Sequence, residues 1–141
     1  VVWPNRQEID IAPFARTGTE INNTSIGVVV TYRGHRFFTG GDMEPEAQDE
    51  LLAQGIESVD VMKVCHHGSS HQSDDLMRKL HPKIAFISVG KDNPYGHPSP
   101  RTVKYLQLLG STVYRTDLSG DIEITPDLKV RTHRKTLFTL G

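Results

Sequence analysis

The stretch Val59 to Ser70, VDVMKVCHHGSS, runs from a loosely alternating apolar segment straight into two histidines and a glycine. The alternation over Val59 to Cys65 predicts a strand, and His66-His67-Gly68-Ser69 predicts a loop that receives two imidazoles at the strand's end. Upstream, IGVVVTY at 26–32 and His35 to Thr39 predict the two strands of a hairpin about Arg33-Gly34, ending in Gly40-Gly41-Asp42. EPEAQDELLAQ at 44–54 has Pro near its start, acids in its first turn and Gly55 just past its end, the punctuation of a helix. Downstream, Ser73 to Leu80 predicts a short helix capped by Ser73 and stopped by His81-Pro82. IAFISVG at 84–90 is apolar nearly throughout, as in a strand covered on both faces, and opens onto KDNPYGHPSP. Pro100 to Leu109 carries Val103, Leu106 and Leu109 at helical spacing, with Gly110 as the stop. Ser111 to Arg115 and Asp121 to Thr125 read as short strands about Leu118-Ser119-Gly120, and KVRTHRKTLFTLG at 129–141 as a last strand or a tail.

That order of strands and helices predicts an α/β fold with helices layered on a sheet. At 141 residues the chain has the size of one small domain. Hydrophobic residues make up 36% and charged residues 23%, enough apolar material for a core and too much for a disordered chain. The formal net charge of -1 supplies no global positive field, so a polyanion would have to be gripped locally. A lone cysteine, Cys65, forms no internal disulfide and carries no information about redox compartment. No apolar run approaches the roughly 20 residues that span a bilayer. The opening VVWPNRQEID lacks a signal pattern, and its Val1 suggests a processed product or part of something longer.

Seven histidines are many for this length, and three of them, His66, His67 and His97, follow predicted strands, as does Asp42. Loops after strands converge at one edge of an α/β sheet. Carboxylate and imidazole together suit zinc, manganese or iron, and a carboxylate is the usual bridge in a two-metal hydrolytic site. Each residue also has a plainer reading. Asp42 after two glycines suits a turn, paired histidines before a glycine suit a surface loop, His97 before Pro98 suits a turn, and Ser69 or Ser70 suits a helix cap. Their recurrence at the ends of successive β/α units favours the site.

The strings NNTSIGVVVTYRGHRFFTGGD, VDVMKVCHHGSS and IAFISVGKDNPYGHPSPRTVKYLQLLGSTVYRTDLSGDIEI, in this order and spacing, closely resemble the C-terminal half of the metallo-β-lactamase domain attached to the competence channel protein of the ComEC/Rec2 family. The resemblance covers about Val2 to Thr125. HHGS followed by NxYGHPxP is its most specific part.

The resemblance implies a four-layered αββα sandwich of which this chain is the second αβ half. It implies a hydrolase with two divalent metals, zinc or manganese, cutting a phosphodiester, with DNA as the substrate and a place in DNA uptake. Asp42 resembles the family's metal-bridging aspartate, and one of the histidine pair its last metal-ligand histidine. Adjacent strand residues face opposite ways, so the sequence leaves open which. The expectation is His67 as ligand and His66 as a supporting or phosphate-contacting group. His97 would touch substrate or act as general acid, and Ser69, Asn93 and Tyr95 would bind substrate. Asn22, Asn23 and Ser25 match an NNxS string expected to hydrogen-bond the ligand-bearing loops. Lys91, Arg101 and Lys104 stand near enough in sequence to meet phosphates, or else form a solvated helix face.

Two departures qualify this. The family usually reads Thr-Gly-Asp where this chain has Gly40-Gly41-Asp42, and the HxHxDH string that supplies most metal ligands is absent. With one carboxylate and one imidazole, this chain alone would hold metal weakly and catalyse little, because a catalytic zinc takes three protein ligands and water. Its partners would be the missing N-terminal half, the membrane channel portion of the same polypeptide, and DNA or another phosphodiester. The resemblance places it on the outer face of a bacterial cytoplasmic membrane. Two other readings stand beside the nuclease: a non-catalytic structural or interaction module of the channel, and a phosphodiesterase for phosphorylcholine or another small molecule.

Overall fold

The structure, a computed structural model, describes residues 1–4 and 18–134. Part of the 129–141 stretch read as a strand or a tail therefore lies outside the described residues. Five strands form one sheet in the order β1-β2-β3-β4-β5: Val28–Tyr32, His35–Thr39, Val61–Lys63, Ile84–Ile87 and Thr112–Arg115. β1 and β2 are an antiparallel hairpin, and β2 through β5 run parallel. The connections are α2 (Pro45–Ala53), α3 (Asp74–Leu80) and α4 (Pro100–Leu108). The sequence reading missed α1 (Gly18–Asn23) and the single turn α5 (Thr116–Ser119). A separate antiparallel pair, β6 (Ile122–Ile124) and β7 (Val130–Thr132), closes the described chain, so the start of the last stretch is a strand.

Parallel strands laid down in sequence order with right-handed crossovers put every crossover helix on one face of the sheet. The core shows this directly. Phe38, Met62, Ala85 and Ile87 alternate onto the helix side, where they pack with Ala47 and Leu51 of α2, Leu76, Met77 and Leu80 of α3, and Leu106 of α4. Fully burying a side chain of this size contributes about 1.5–3 kcal/mol.

The opposite face carries Val30, Phe37, Val61 and Ile84 in lateral register and Phe86 two residues further along β4, with Phe37 and Phe86 stacked at 5.8 Å between ring centroids. No crossover helix covers it. Val30 and Tyr32 are exposed, and between this face and the β6–β7 pair lies an apolar groove of about 380 Å³. The expectation that β4 is covered on both faces holds for most of the strand: Ala85 and Ile87 are buried on the helix side and Ile84 on the other, where Phe86 is half-buried.

β3 stops at Lys63, two residues sooner than its apolar pattern extends, because the chain turns into a tight helical turn at Cys65–Gly68. α3 begins as read, with Ser73 Oγ accepting from Leu76 N at 3.2 Å.

Candidate functional site

The carboxyl ends of β2, β3 and β4 release three loops side by side, the place where open α/β sheets build their crevices. Asp42 stands on the first loop, His66 and His67 on the second, and Gly90, Asn93, Tyr95 and His97 on the third. Together they line one open cleft of about 320 Å³.

The middle loop answers the question of which histidine faces the cleft. His66 and His67 are no longer strand residues and both adopt left-handed backbone conformations, with φ of 45° and 52°. Two consecutive side chains therefore reach the same cleft, where a strand would have sent them apart. Such backbone costs of order 1–3 kcal/mol per residue and persists only where surrounding structure imposes it. That structure is identifiable. His66 N donates to Gly41 O at 2.9 Å, Ser99 N donates to Gly68 O at 2.8 Å, and Thr102 Oγ1 donates to Ser69 O at 2.7 Å. A buried amide pair pins the loop to α2: Gln48 Nε2 donates to Met43 O and to Gln72 Oε1, Gln72 Nε2 donates to Cys65 O, and Ser73 N donates to Gln48 Oε1.

The ring of His67 is fixed from behind. Its Nδ1 lies 2.6 Å from Ser88 O, which makes Nδ1 the protonated nitrogen, and its Nε2 points to Asp42, 3.5 Å from Oδ1. Asp42 N donates to Ser25 Oγ at 3.1 Å. Gly41 beneath it has φ of 57°, and a Cβ there would meet Ser25 Cβ at 2.9 Å. At Gly40, where the family usually has Thr, a Cβ would sit 2.8 Å from Cys65 Sγ, so the departure from Thr-Gly-Asp matches a packed backbone.

Sequence reading missed Glu44. The local pattern makes it an acid in the first turn of a helix, but it is 7% exposed at the N-cap position of α2 and turned inward. Its Oε1 accepts from Asn22 Nδ2 at 2.7 Å, its Oε2 accepts from Thr19 Oγ1 at 2.9 Å, and its N donates to Asn23 Oδ1 at 2.8 Å. Thus Asn22, Asn23 and Ser25 all bond the loop that carries Asp42. Burial works to raise the Glu44 carboxyl, but the hydrogen bonds from Asn22 and Thr19 and the neighbouring His66 and His71 outweigh it, so it lies below the usual carboxylate range. Oε1 also lies 3.5 Å from Nδ1 of His66, a buried nitrogen with no well-formed hydrogen bond.

His97 packs edge-on against His66, with ring centroids 5.5 Å apart, and beneath the exposed ring of Tyr95, at 6.3 Å. Burial, and then the like charges of His66 and His67, hold its pKa below the ordinary imidazole value. Asn93 Oδ1 accepts from Tyr95 N at 2.8 Å and shapes that loop. Ser69 is not brought to the cleft: it is 3% exposed and its Oγ bonds the backbone of His71. Arg101 is engaged with Asp74 at 2.6 Å, while Lys91 and Lys104 are exposed. Burial pushes the Cys65 thiol up to about 12, which removes it as a nucleophile or ligand.

Among the described residues, no group of three or more His, Cys, Asp or Glu side chains is arranged to hold a metal ion. None of the described helices is long and apolar enough to cross a membrane.

No protein-family model matches the chain. It is 34% identical to ComE operon protein 3 of Bacillus subtilis (strain 168) over 115 residues, which are 80% of this chain and 15% of that protein. It is 29% identical over 104 residues to Recombination protein 2 of Haemophilus influenzae, covering 73% of this chain and 13% of that protein. To Competence protein ComA of Neisseria gonorrhoeae it is 27% identical over 116 residues, 80% of this chain and 17% of the relative. The chain belongs to the ComEC/Rec2 competence family, as a segment spanning 13–17% of the length of these relatives.

Proposed function

We propose that this chain supplies part of a metal-dependent phosphodiesterase site in a competence protein, with DNA as the substrate class. The observation that carries the reading is the Asp42–His67 pair: a carboxylate and an imidazole 3.5 Å apart, the imidazole anchored through Nδ1 so that Nε2 is presented as a donor atom. This donor set fits zinc or manganese but falls short of the three protein ligands a catalytic zinc takes. Asp42 and His67 would hold an ion jointly with donors from outside the described residues. A bound divalent ion there would polarise a phosphoryl oxygen and neutralise its charge. His97, beside the cleft, touches the substrate; its lowered pKa works against the general-acid role, which needs the protonated ring to give its proton to the leaving oxygen, and His66 takes the neighbouring position on the phosphate. Lys91, exposed next to Gly90, is the nearest cation in sequence for a nucleic-acid backbone.

The apolar sheet face that no crossover helix covers, and that the β6–β7 pair only partly shields, supports the sandwich reading. A face bearing Val30, Phe37, Val61, Ile84 and Phe86 is what one half of an αββα sandwich turns toward a second sheet, and the cover would be the upstream part of the same domain. On this reading the domain is attached to a membrane protein and works at the outer face of the cytoplasmic membrane.

The two-donor limit favours the second reading, a non-catalytic module of the channel. Metal content and nuclease activity, measured with added manganese or zinc on this chain and on a polypeptide extended upstream in its gene, separate them. The enzyme reading expects metal and DNA cleavage in the longer polypeptide, both lost in Asp42→Ala. A longer polypeptide that binds no metal and cuts nothing establishes the module. Cleavage of phosphorylcholine esters with DNA left intact moves the substrate to small phosphodiesters.

A further inference from the structure

His66 has an unusual setting for a residue at the mouth of a cleft. Its Nδ1 is buried and without a well-formed hydrogen bond, yet the side chain as a whole retains 23% exposure. The exposed edge of the ring is therefore the opposite one, which carries Nε2. The group facing the buried nitrogen is Oε1 of Glu44, 3.5 Å away. Glu44 cannot swing off, since Asn22 Nδ2 and Thr19 Oγ1 hold its two oxygens and Asn23 Oδ1 holds its backbone N–H. His66 cannot swing off either, because its backbone is tied to Gly41 O and its ring is packed edge-on against His97.

We infer that Glu44 is a positioning residue for His66: it holds the proton on Nδ1, so that the neutral ring offers an unprotonated Nε2 to the cleft. A carboxylate is an acceptor only, so the sole favourable partner for it is an N–H. Closing 3.5 Å to hydrogen-bond length takes a small rotation of the ring. His67 reaches the same state by another route: the Ser88 carbonyl, 2.6 Å from Nδ1, holds the proton against the partly exposed Asp42 carboxylate, 3.5 Å from Nε2. The two left-handed histidines thus present matching acceptor nitrogens side by side, able to take a proton from a bound water or phosphate or to donate a lone pair to a cation.

The role assigned here rests on the reading of this cleft as the reactive site, but its test does not. The measurement is the nitrogen-15 spectrum of the imidazoles of the histidine-labelled 141-residue chain, with chelator and no substrate, at roughly pH 8.5, about two units above an ordinary histidine pKa. The expected result is Nδ1–H with unprotonated Nε2 for both His66 and His67. An Nε2–H tautomer at His66 in the wild-type chain overturns the inference outright, whether or not the domain proves to be a phosphodiesterase. In Glu44→Gln the ratio of Nδ1–H to Nε2–H at His66 should fall by about tenfold or more, the size of one charge-assisted hydrogen bond. His67, anchored to a backbone carbonyl, should stay unchanged and report that the loop is folded. An unchanged His66 ratio with His67 intact removes Glu44 from the role. Should Glu44→Gln fail to fold, the wild-type tautomer decides alone.

Discussion

Asp42 and His67 meet across the cleft with Oδ1 and Nε2 3.5 Å apart, although they leave the ends of neighbouring strands in the same sheet. Asp42 is fixed by backbone bonds: its own N to Ser25, and the adjacent Gly41 O to His66 N. The Asp42 carboxylate, 40% exposed, has little structural work of its own. Asp42→Ala should therefore shift the unfolding free energy by less than about 0.5 kcal/mol. On the proposed reading it should lower metal affinity by more than the roughly 10–100-fold that supporting groups cost. Urea melts and metal titration of the two proteins check both halves.

Gly68 is where the histidine turn touches the His97 loop. Its φ is 74°, and a Cβ there would lie 2.8 Å from Pro98 Cβ and 3.2 Å from Ile87. Gly68→Ala should destabilise the chain by about 2 kcal/mol or more, through backbone strain and overpacking together. Equilibrium denaturation gives the value, and a loss below half of that would mean that the two loops separate easily.

Gln48 is fully buried and serves Met43 O, Gln72 Oε1 and Ser73 N. Gln48→Ala leaves these groups without their partner and should cost about 1–3 kcal/mol. Because Gln72 in turn holds Cys65 O, amide exchange should quicken through residues 65–73 before it does in β4.

Asp60, at the entry to β3, accepts from Lys83 Nζ at 2.9 Å and from Arg36 N at 3.0 Å. The Lys83 hydrogen bond, then the Arg36 backbone bond, hold its carboxyl below the ordinary aspartate range. A depressed folded value means that the stabilisation is fully present above the unfolded pKa and disappears as pH falls through the folded one. Urea midpoints measured downward from neutral pH should fall at the acid end, and Asp60→Asn should flatten that part of the profile. An identical acid limb in the variant would assign the loss to other carboxylates.

The sheet was legible because its strands are short apolar, aromatic or β-branched runs, some loosely alternating, punctuated by Gly and Pro, signals that act over a few residues. The strands of β1 through β5 and the helices α2, α3 and α4 lie within a few residues of where the sequence places them. Asp42, His66, His67 and His97 could be nominated because each follows a strand, and topology then makes them neighbours. What escaped was long-range or hidden behind a sufficient local explanation. Glu44 looks like helix punctuation, and only the folded chain shows it facing Asn22 and His66. Gln48 and Gln72 look like surface amides, and their burial depends on how α2 meets the turn after β3. α1 and α5 are six and four residues long, too short for a periodicity to register. The paired left-handed residues went unread because histidine, although enriched in that conformation, adopts it in only a small minority of cases.

The left-handed backbone at His66 and His67 also dictates how these positions tolerate exchange. Alanine, the usual choice for deleting a side chain, keeps the Cβ that strains this conformation and lacks the polar group that helps histidine tolerate it, so it would remove an imidazole and loosen the turn at once. Asparagine adopts this conformation far more readily and has no ring nitrogen to offer. For this turn, asparagine is the replacement that separates loss of chemistry from loss of shape. Natural variation confined to His, Asn, Asp and Gly at these two positions would signal a demand of the backbone before any demand of a reaction.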